Sequence, residues 1–163
     1  MTAQSTVLGI DTEDPRSPAA RALIAELDDY LNERYPPQAN YLDPADELAK
    51  PHVRFVLAKL DGEPIGCGAV KLMPEGYGEI KRVFVRPAGR RMRVARRILA
   101  VLEAHLIENG IADARLEAGV DQPEALALYE ALGYRRIARF GAYRDEPTSV
   151  FMGKTLSAAG SDS

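Results

Sequence analysis

The sequence predicts an α/β (α+β) fold, a mixed sheet of six to seven strands flanked by about four helices. Three successive segments between Val53 and Val85, separated by turn residues, read as strands, which implies an antiparallel meander. From Arg91 the period becomes helical, and the remaining chain completes a strand, helix, strand, helix, strand succession, which implies a mixed sheet covered by helices. With 163 residues, 46% of them hydrophobic and 28% charged, one domain over 1–156 accounts for the chain. Such a length buries about 70% of the surface its unfolded chain exposes, so no disulfide or metal staple is needed. The tail, 157–163, has nothing to bury and is expected to be disordered.

Val7 to Ile10 reads as a first strand, broken by Asp14-Pro15-Arg16-Ser17-Pro18, which can cap a helix. That helix, from Pro18 to Arg34, places Ala20, Leu23, Ile24, Leu27, Tyr30 and Leu31 on one face, with Asp28, Asp29 and Glu33 opposite. Tyr35-Pro36-Pro37 ends it. Pro44 to Ala49 adds a short helical turn before the strands Val53 to Leu60, Pro64 to Leu72 and Tyr77 to Val85, the first two joined at Asp61-Gly62. The helix from Arg91 to about Asn109 aligns Val94, Ile98, Val101, Leu102, His105 and Leu106, and Gly110 stops it. A strand from Ala114 to Ala118, a helix opened by Pro123 and closed by Gly133, a strand near Tyr134 to Ala138 and a last one from Ser149 to Leu156 complete the order.

Several function classes are disfavoured by composition. The single cysteine, Cys67, forbids an internal disulfide and every multi-cysteine zinc pattern, and the two histidines, His52 and His105, are too far apart for a helical zinc pair, so no metal is expected. No run approaches the ~18 apolar residues of a membrane helix, and the first twenty residues carry Asp11, Glu13 and Asp14 where a secretory leader would be basic and apolar. A cytoplasmic protein without membrane contact is the expectation.

Charge is uneven behind a net value of −3: Lys81 to Arg97 holds eight basic residues and no acid, whereas fourteen acids against seven bases precede it. Within this run a strand ends in Arg86-Pro87-Ala88-Gly89 and a helix begins after Arg90, Arg91 and Arg93. First-turn amides of a helix have no internal partner and are reinforced by the helix dipole, so this junction suits an anion such as a pyrophosphate. Nucleic acid is not the expected anion, because the net charge is negative and no aromatic interleaves the arginines.

These residues resemble the acyl-CoA signature of the GNAT superfamily of N-acetyltransferases: Gln or Arg, two residues, Gly, one residue, then Gly or Ala. Arg90 and Ala95 match; Arg93 occupies the signature glycine, and Arg91 stands where many members have another. Arg at 93 is free of backbone strain if that position is helical. Downstream, Gln122-Pro123-Glu124-Ala125-Leu126-Ala127-Leu128-Tyr129-Glu130-Ala131-Leu132-Gly133-Tyr134 is similar to the family's Asn-x-x-Ala-x-x-Leu-Tyr-x-x-x-Gly-Phe/Tyr segment. The resemblance extends from about Gly62 to Leu156 and implies the GNAT fold, with acetyl-CoA as co-substrate. By that resemblance acetyl-CoA is held by Val83, Val85, the run Arg90, Arg91, Met92, Arg93, Val94, Ala95 and Arg96, and Gln122.

Transfer of acetyl from a thioester to an amine needs a base, because an amine of pKa near 10.4 is almost wholly protonated at pH 7. The resemblance implies Glu79 as that base, directly or through water; a strand carboxylate paired with Arg82 or Lys81 is the competing reading. Strict alternation places Glu79, Lys81, Val83 and Val85 on one face unless the bulge typical of the family intervenes. The Val83 amide is implied as an oxyanion donor, Val85 as a strand-like partner of pantetheine, and Tyr129 as the acid that protonates the leaving thiolate. Cys67 and His105 read as packed residues.

The expected partner is a small-molecule or peptide amine. Asp28, Asp29, Glu33, Asp43, Asp46, Glu47 and Glu117 are acids that could meet its ammonium, and Tyr30, Tyr41 and Tyr143 could offer ring faces. A homodimer is compatible with the family. A GNAT-like domain that holds acyl-CoA without turnover is the alternative function.

Overall fold

The computed structural model describes residues 7–35 and 43–157. Pro36, Pro37, Tyr41 and all but Ser157 of the expected tail lie outside the described residues. Chain order is β1 (Leu8–Thr12), α1 (Pro18–Arg34), α2 (Ala45–Leu48), β2 (Val53–Leu60), β3 (Glu63–Leu72), β4 (Gly78–Val85), a 3-10 segment (Pro87–Met92), α3 (Val94–Glu108), β5 (Asp113–Gly119), α4 (Pro123–Ala131), β6 (Arg135–Arg136) and β7 (Ser149–Thr155). The strands form one sheet in the order β1-β2-β3-β4-β5-β7-β6. Every neighbouring pair is antiparallel except β4 and β5, which run parallel. The mixed sheet expected from the alternation of elements is therefore present, with seven strands.

Local chemistry explains the sharper boundaries. Ser17 accepts the Ala20 amide at 3.2 Å and Pro18 supplies a preset φ, so α1 starts where the capping residue stands. α3 lays Ile98, Leu99, Leu102 and Leu106, each no more than 1% exposed, against Val56, Ala58, Val70, Ile80 and Leu116 of the sheet. Each such side chain contributes about 2 kcal/mol from burial. On the opposite face α1 packs Ala20, Leu23 and Ile24 against Phe55, Leu57, Cys67 and Ala69.

Two boundaries differ from expectation. The helix read from Arg91 starts at Val94, because 87–92 coil as a 3-10 segment and Arg93 breaks the path with φ 58°. The strand near Tyr134 is reduced to Arg135–Arg136; Ile137 still donates to the Phe151 carbonyl at 2.9 Å before the chain leaves the edge.

β4 carries the irregularity that shapes the site. Opposite β3, Lys81 pairs with Ala69 and Phe84 with Cys67, so Arg82 and Val83 together face the single residue Gly68. Arg82 takes φ 61°, uncommon for a residue with a side chain. A Cβ on Gly68 would lie 2.7 Å from Ile98 Cγ2, so glycine lets α3 press against the bulge. The strict alternation of Glu79, Lys81, Val83 and Val85 is thereby corrected. Glu79, Lys81, Arg82 and Phe84 share the α1 face, while Ile80, Val83 and Val85 join the core beneath α3.

Candidate active site

β4 and β5 are paired only from Gly78–Ile80 to Ala114–Leu116, and no registered pair joins them beyond Ile80. The strands part where the bulge begins. Along this parting runs a groove of about 860 Å³, walled by Val83, Phe84 and Val85 of β4, Arg93, Ala95 and Arg96 at the start of α3, and Gln122, Ala125 and Tyr129 of α4. A smaller chamber of about 100 Å³ adjoins it, lined by Lys81, Glu117, Tyr129 and Tyr143 among others. Leu27, Val83, Gln122 and Tyr129 border both spaces, so one cleft narrows into the other.

The sequence-predicted residues divide between these spaces. Val83, Val85, Arg93, Ala95, Arg96 and Gln122 line the groove; Val94 is fully buried beneath it as the first residue of α3. Arg90, Arg91 and Met92 lie in the 3-10 segment immediately before α3. First-turn amides of α3 precede its first helical hydrogen bond, from Arg97 N to the Arg93 carbonyl at 3.2 Å, and the exposed Arg93 and Arg96 stand beside them. Arg93 is not helical: with φ 58° and ψ 30° it occupies the left-handed region that the family's glycine would enter without cost. The condition under which arginine would be free of strain there, a helical backbone, is therefore not met.

Tyr129 sits on α4, buried, its ring edge-on to Tyr134 at 5.9 Å. Burial, with a smaller contribution from the Glu117 charge, pushes its phenol up to about 12, so it stays protonated at neutral pH. Glu79 lies on β4, 5% exposed, and its Oε2 accepts the Tyr143 hydroxyl, with Lys81 Nζ 3.9 Å away. Burial first, then the Glu79 charge, hold the Tyr143 phenol far above its usual range. Glu79 is not among the chamber's lining residues and meets the chamber through Tyr143.

The basic run resolves into two functions. Arg82 Nη1 donates to Asp28 at 2.5 Å, and its Nε and Nη2 donate to the Asp43 carbonyl at 3.2 and 2.9 Å. Asp43 also bridges Lys71 at 3.1 Å and Lys81 at 3.3 Å, and Arg86 forks onto Glu26 of α1. These cations are therefore committed to holding α1 and the 43–47 segment on the sheet. Arg93 and Arg96 line the groove.

Composition and spacing gave Glu117 only as one of seven acids that could meet an ammonium, and gave Tyr35 no role in the site. Glu117 Oε2 accepts the Ser149 hydroxyl at 2.8 Å, and burial raises its carboxyl above the ordinary carboxylate range against the pull of that bond and of Lys81. Tyr35 reaches from the end of α1 to accept the Asp121 amide at 3.1 Å. A Cβ on Gly119 would collide with that hydroxyl at 1.8 Å. Glu117 alternates with the buried Ala114, Leu116 and Ala118 and shares its face of β5 with Asp113 and Arg115, so the local pattern alone does not set it apart.

The fold, the divided sheet and the groove at a basic helix start together define an acyltransferase architecture, and comparison with known proteins places it. The profile of the Acetyltransferase (GNAT) family matches residues 20–134. An IAA acetyltransferase of Azospirillum brasilense is 41% identical over 148 residues, covering 90% of this chain and 97% of the relative. The uncharacterized N-acetyltransferase YsnE of Bacillus subtilis is 31% identical, covering 74% and 82%. Among solved structures, a Klebsiella pneumoniae protein provisionally designated an acyl-CoA N-acyltransferase superposes with TM-score 0.77 at 34% identity, covering 92% and 98%. A PaiA N-acetyltransferase of Thermoplasma acidophilum, solved with coenzyme A, shares the fold at TM-score 0.72 and 14% identity, covering 92% and 99%. The chain belongs to the GNAT family of acetyltransferases. Among the described residues no helix is long and apolar enough to cross a membrane, and no group of three or more His, Cys, Asp or Glu side chains is placed to hold a metal.

Proposed function

We propose that the protein transfers acetyl from acetyl-CoA to a primary amine by direct attack at the β4–β5 split. The observation that carries this reading is the continuity of the groove with the chamber at Tyr129. The groove suits the co-substrate chemically. Its cationic end, with the α3 amides, Arg93 and Arg96, fits a pyrophosphate, and its β4 wall offers a main-chain edge for pantetheine. Gln122 closes the opposite side. Acetyl-CoA supplies an activated thioester carbonyl when bound.

The chain's own groups then have separable tasks. The Val83 amide is the oxyanion donor, a fixed dipole whose interaction strengthens as negative charge grows. Tyr129 gives its phenolic proton to the departing sulfur. A carboxylate at the split removes the proton from the acceptor; Glu79 is the one the motif indicates, and it communicates with the chamber through the Tyr143 hydroxyl.

Calorimetric titration with acetyl-CoA, then thiol release against a panel of amines, tests the reading. Micromolar binding and amine-dependent thiol release are expected. Binding without release for any amine would favour a domain that holds acyl-CoA without turnover, and no binding at millimolar concentration would overturn the groove assignment as well.

A further inference from the structure

Two carboxylates flank the split, and the fold treats them differently. Glu79 is sealed behind Tyr143, whose hydroxyl bonds its Oε2. Glu117 is part of the chamber wall, and its Oε2 accepts a hydrogen bond from Ser149 Oγ at 2.8 Å. Tyr129 lines the same chamber from the opposite side of the sheet, because α4 packs on the α3 face while Glu117 alternates with the α3-facing Ala114, Leu116 and Ala118. An acid and a carboxylate from opposite faces thus meet where the strands part.

We infer that Glu117 takes the proton directly from the acceptor's ammonium, and that Glu79 is a positioning residue that holds Tyr143 and Lys81 in the chamber wall. This rests on the proposed transfer reaction and assigns its base. Charged and titratable groups facing Glu117 are Lys81 and Glu79 from β4, Tyr129 from α4, Tyr35 from the end of α1, and Tyr143 from the segment before β7. Its burial matches the base more closely to an amine than an exposed carboxylate would be.

One ammonium proton passes to Glu117 and on to solvent, and the freed nitrogen lone pair forms the N–C bond. As the C–S bond breaks, sulfur takes the Tyr129 proton, and the surplus proton on nitrogen returns to the phenolate. One proton is released for each acetyl transferred.

The test is a kcat and kcat/KM pH profile of wild type, Glu117→Gln, Glu117→Asp and Glu79→Gln with one reactive primary amine, alongside acetyl-CoA affinity. Glu117→Gln is expected to lower kcat by about a hundredfold or more and to abolish the carboxylate limb, with acetyl-CoA affinity unchanged. Glu117→Asp retains the limb at reduced rate, and Glu79→Gln loses less than tenfold with the limb intact. A Glu117→Gln variant within threefold of wild type, or a limb lost in Glu79→Gln instead, overturns the assignment. Wild-type protein without amine-dependent thiol release would overturn the transfer reading, and this inference with it.

Discussion

The two faces of the sheet are built from different materials. Under α3 and α4 the fully buried core is hydrocarbon, with Val56, Ala58, Val70, Ile80, Leu116 and Met152 meeting the helices, and the ion pair there, Glu103 with Lys154 at 3.1 Å, is partly exposed. Under α1 the sheet buries Phe55, Leu57 and Ala69 at one end but Glu79 and Arg82 at the other, with Lys81 and Glu117 partly buried beside them. Hydrocarbon contacts are non-directional and hold the fold, whereas buried charges must be paired and so fix positions. Chemistry is accordingly placed where the second face is polar and where the split admits Tyr129 from the first.

This division can be tested by perturbing each side alone. Leu102→Ala, at a fully buried position under α3, is expected to cost about 4 kcal/mol in chemical denaturation and to leave the pH profile of the remaining folded enzyme unaltered. A shifted profile would show that the faces are coupled. Tyr129→Phe should lower kcat at least tenfold with little change in acetyl-CoA affinity, and full activity would remove the phenol from the proposed mechanism.

Smaller effects sharpen the boundary. His105 Nδ1 on α3 is buried without a hydrogen-bond partner among the described residues, and burial, with Arg54 nearby, holds its pKa below the ordinary value near 6.5. The unfolded chain therefore takes up that proton first: stability is complete above about pH 6.5 and declines as pH falls through the folded value. His105→Leu should raise stability by about 1 kcal/mol at pH 7 and flatten the acid decline, read from denaturation midpoints across pH. Arg93→Gly relieves a left-handed backbone worth about 1 kcal/mol but removes a groove cation, so a higher midpoint with two- to fivefold weaker acetyl-CoA binding is expected. Tenfold tighter binding would mean that the arginine obstructs the groove.

Elements whose ends carry their own chemistry are legible in the sequence. Ser17-Pro18 opens α1 and Asp61-Gly62 turns β2 into β3, because capping and turn preferences act over a few residues. The position of the bulge is not, since no glycine or proline within 79–85 marks it. What carries Arg82 to the α1 face is pairing with Asp28 and Asp43, distant in sequence. The left-handed Arg93 is hidden for a related reason: local propensity favours continuing the helix, and only the meeting of the 3-10 segment with α3 requires the turn. Glu117 is one acid among several candidates until the parting of β4 and β5 puts it in the chamber wall.

Cys67, the sole cysteine, lies opposite the bulge with its Sγ donating to the Arg82 carbonyl at 3.4 Å, and burial pushes its thiol up to about 12. Such a sulfhydryl is chemically silent toward disulfide reagents while the α1 face stays closed. Colour developed from free thiol in a reaction mixture therefore counts released coenzyme without a protein blank. Slow labelling of Cys67 in the absence of substrates becomes a clock for the opening of that face.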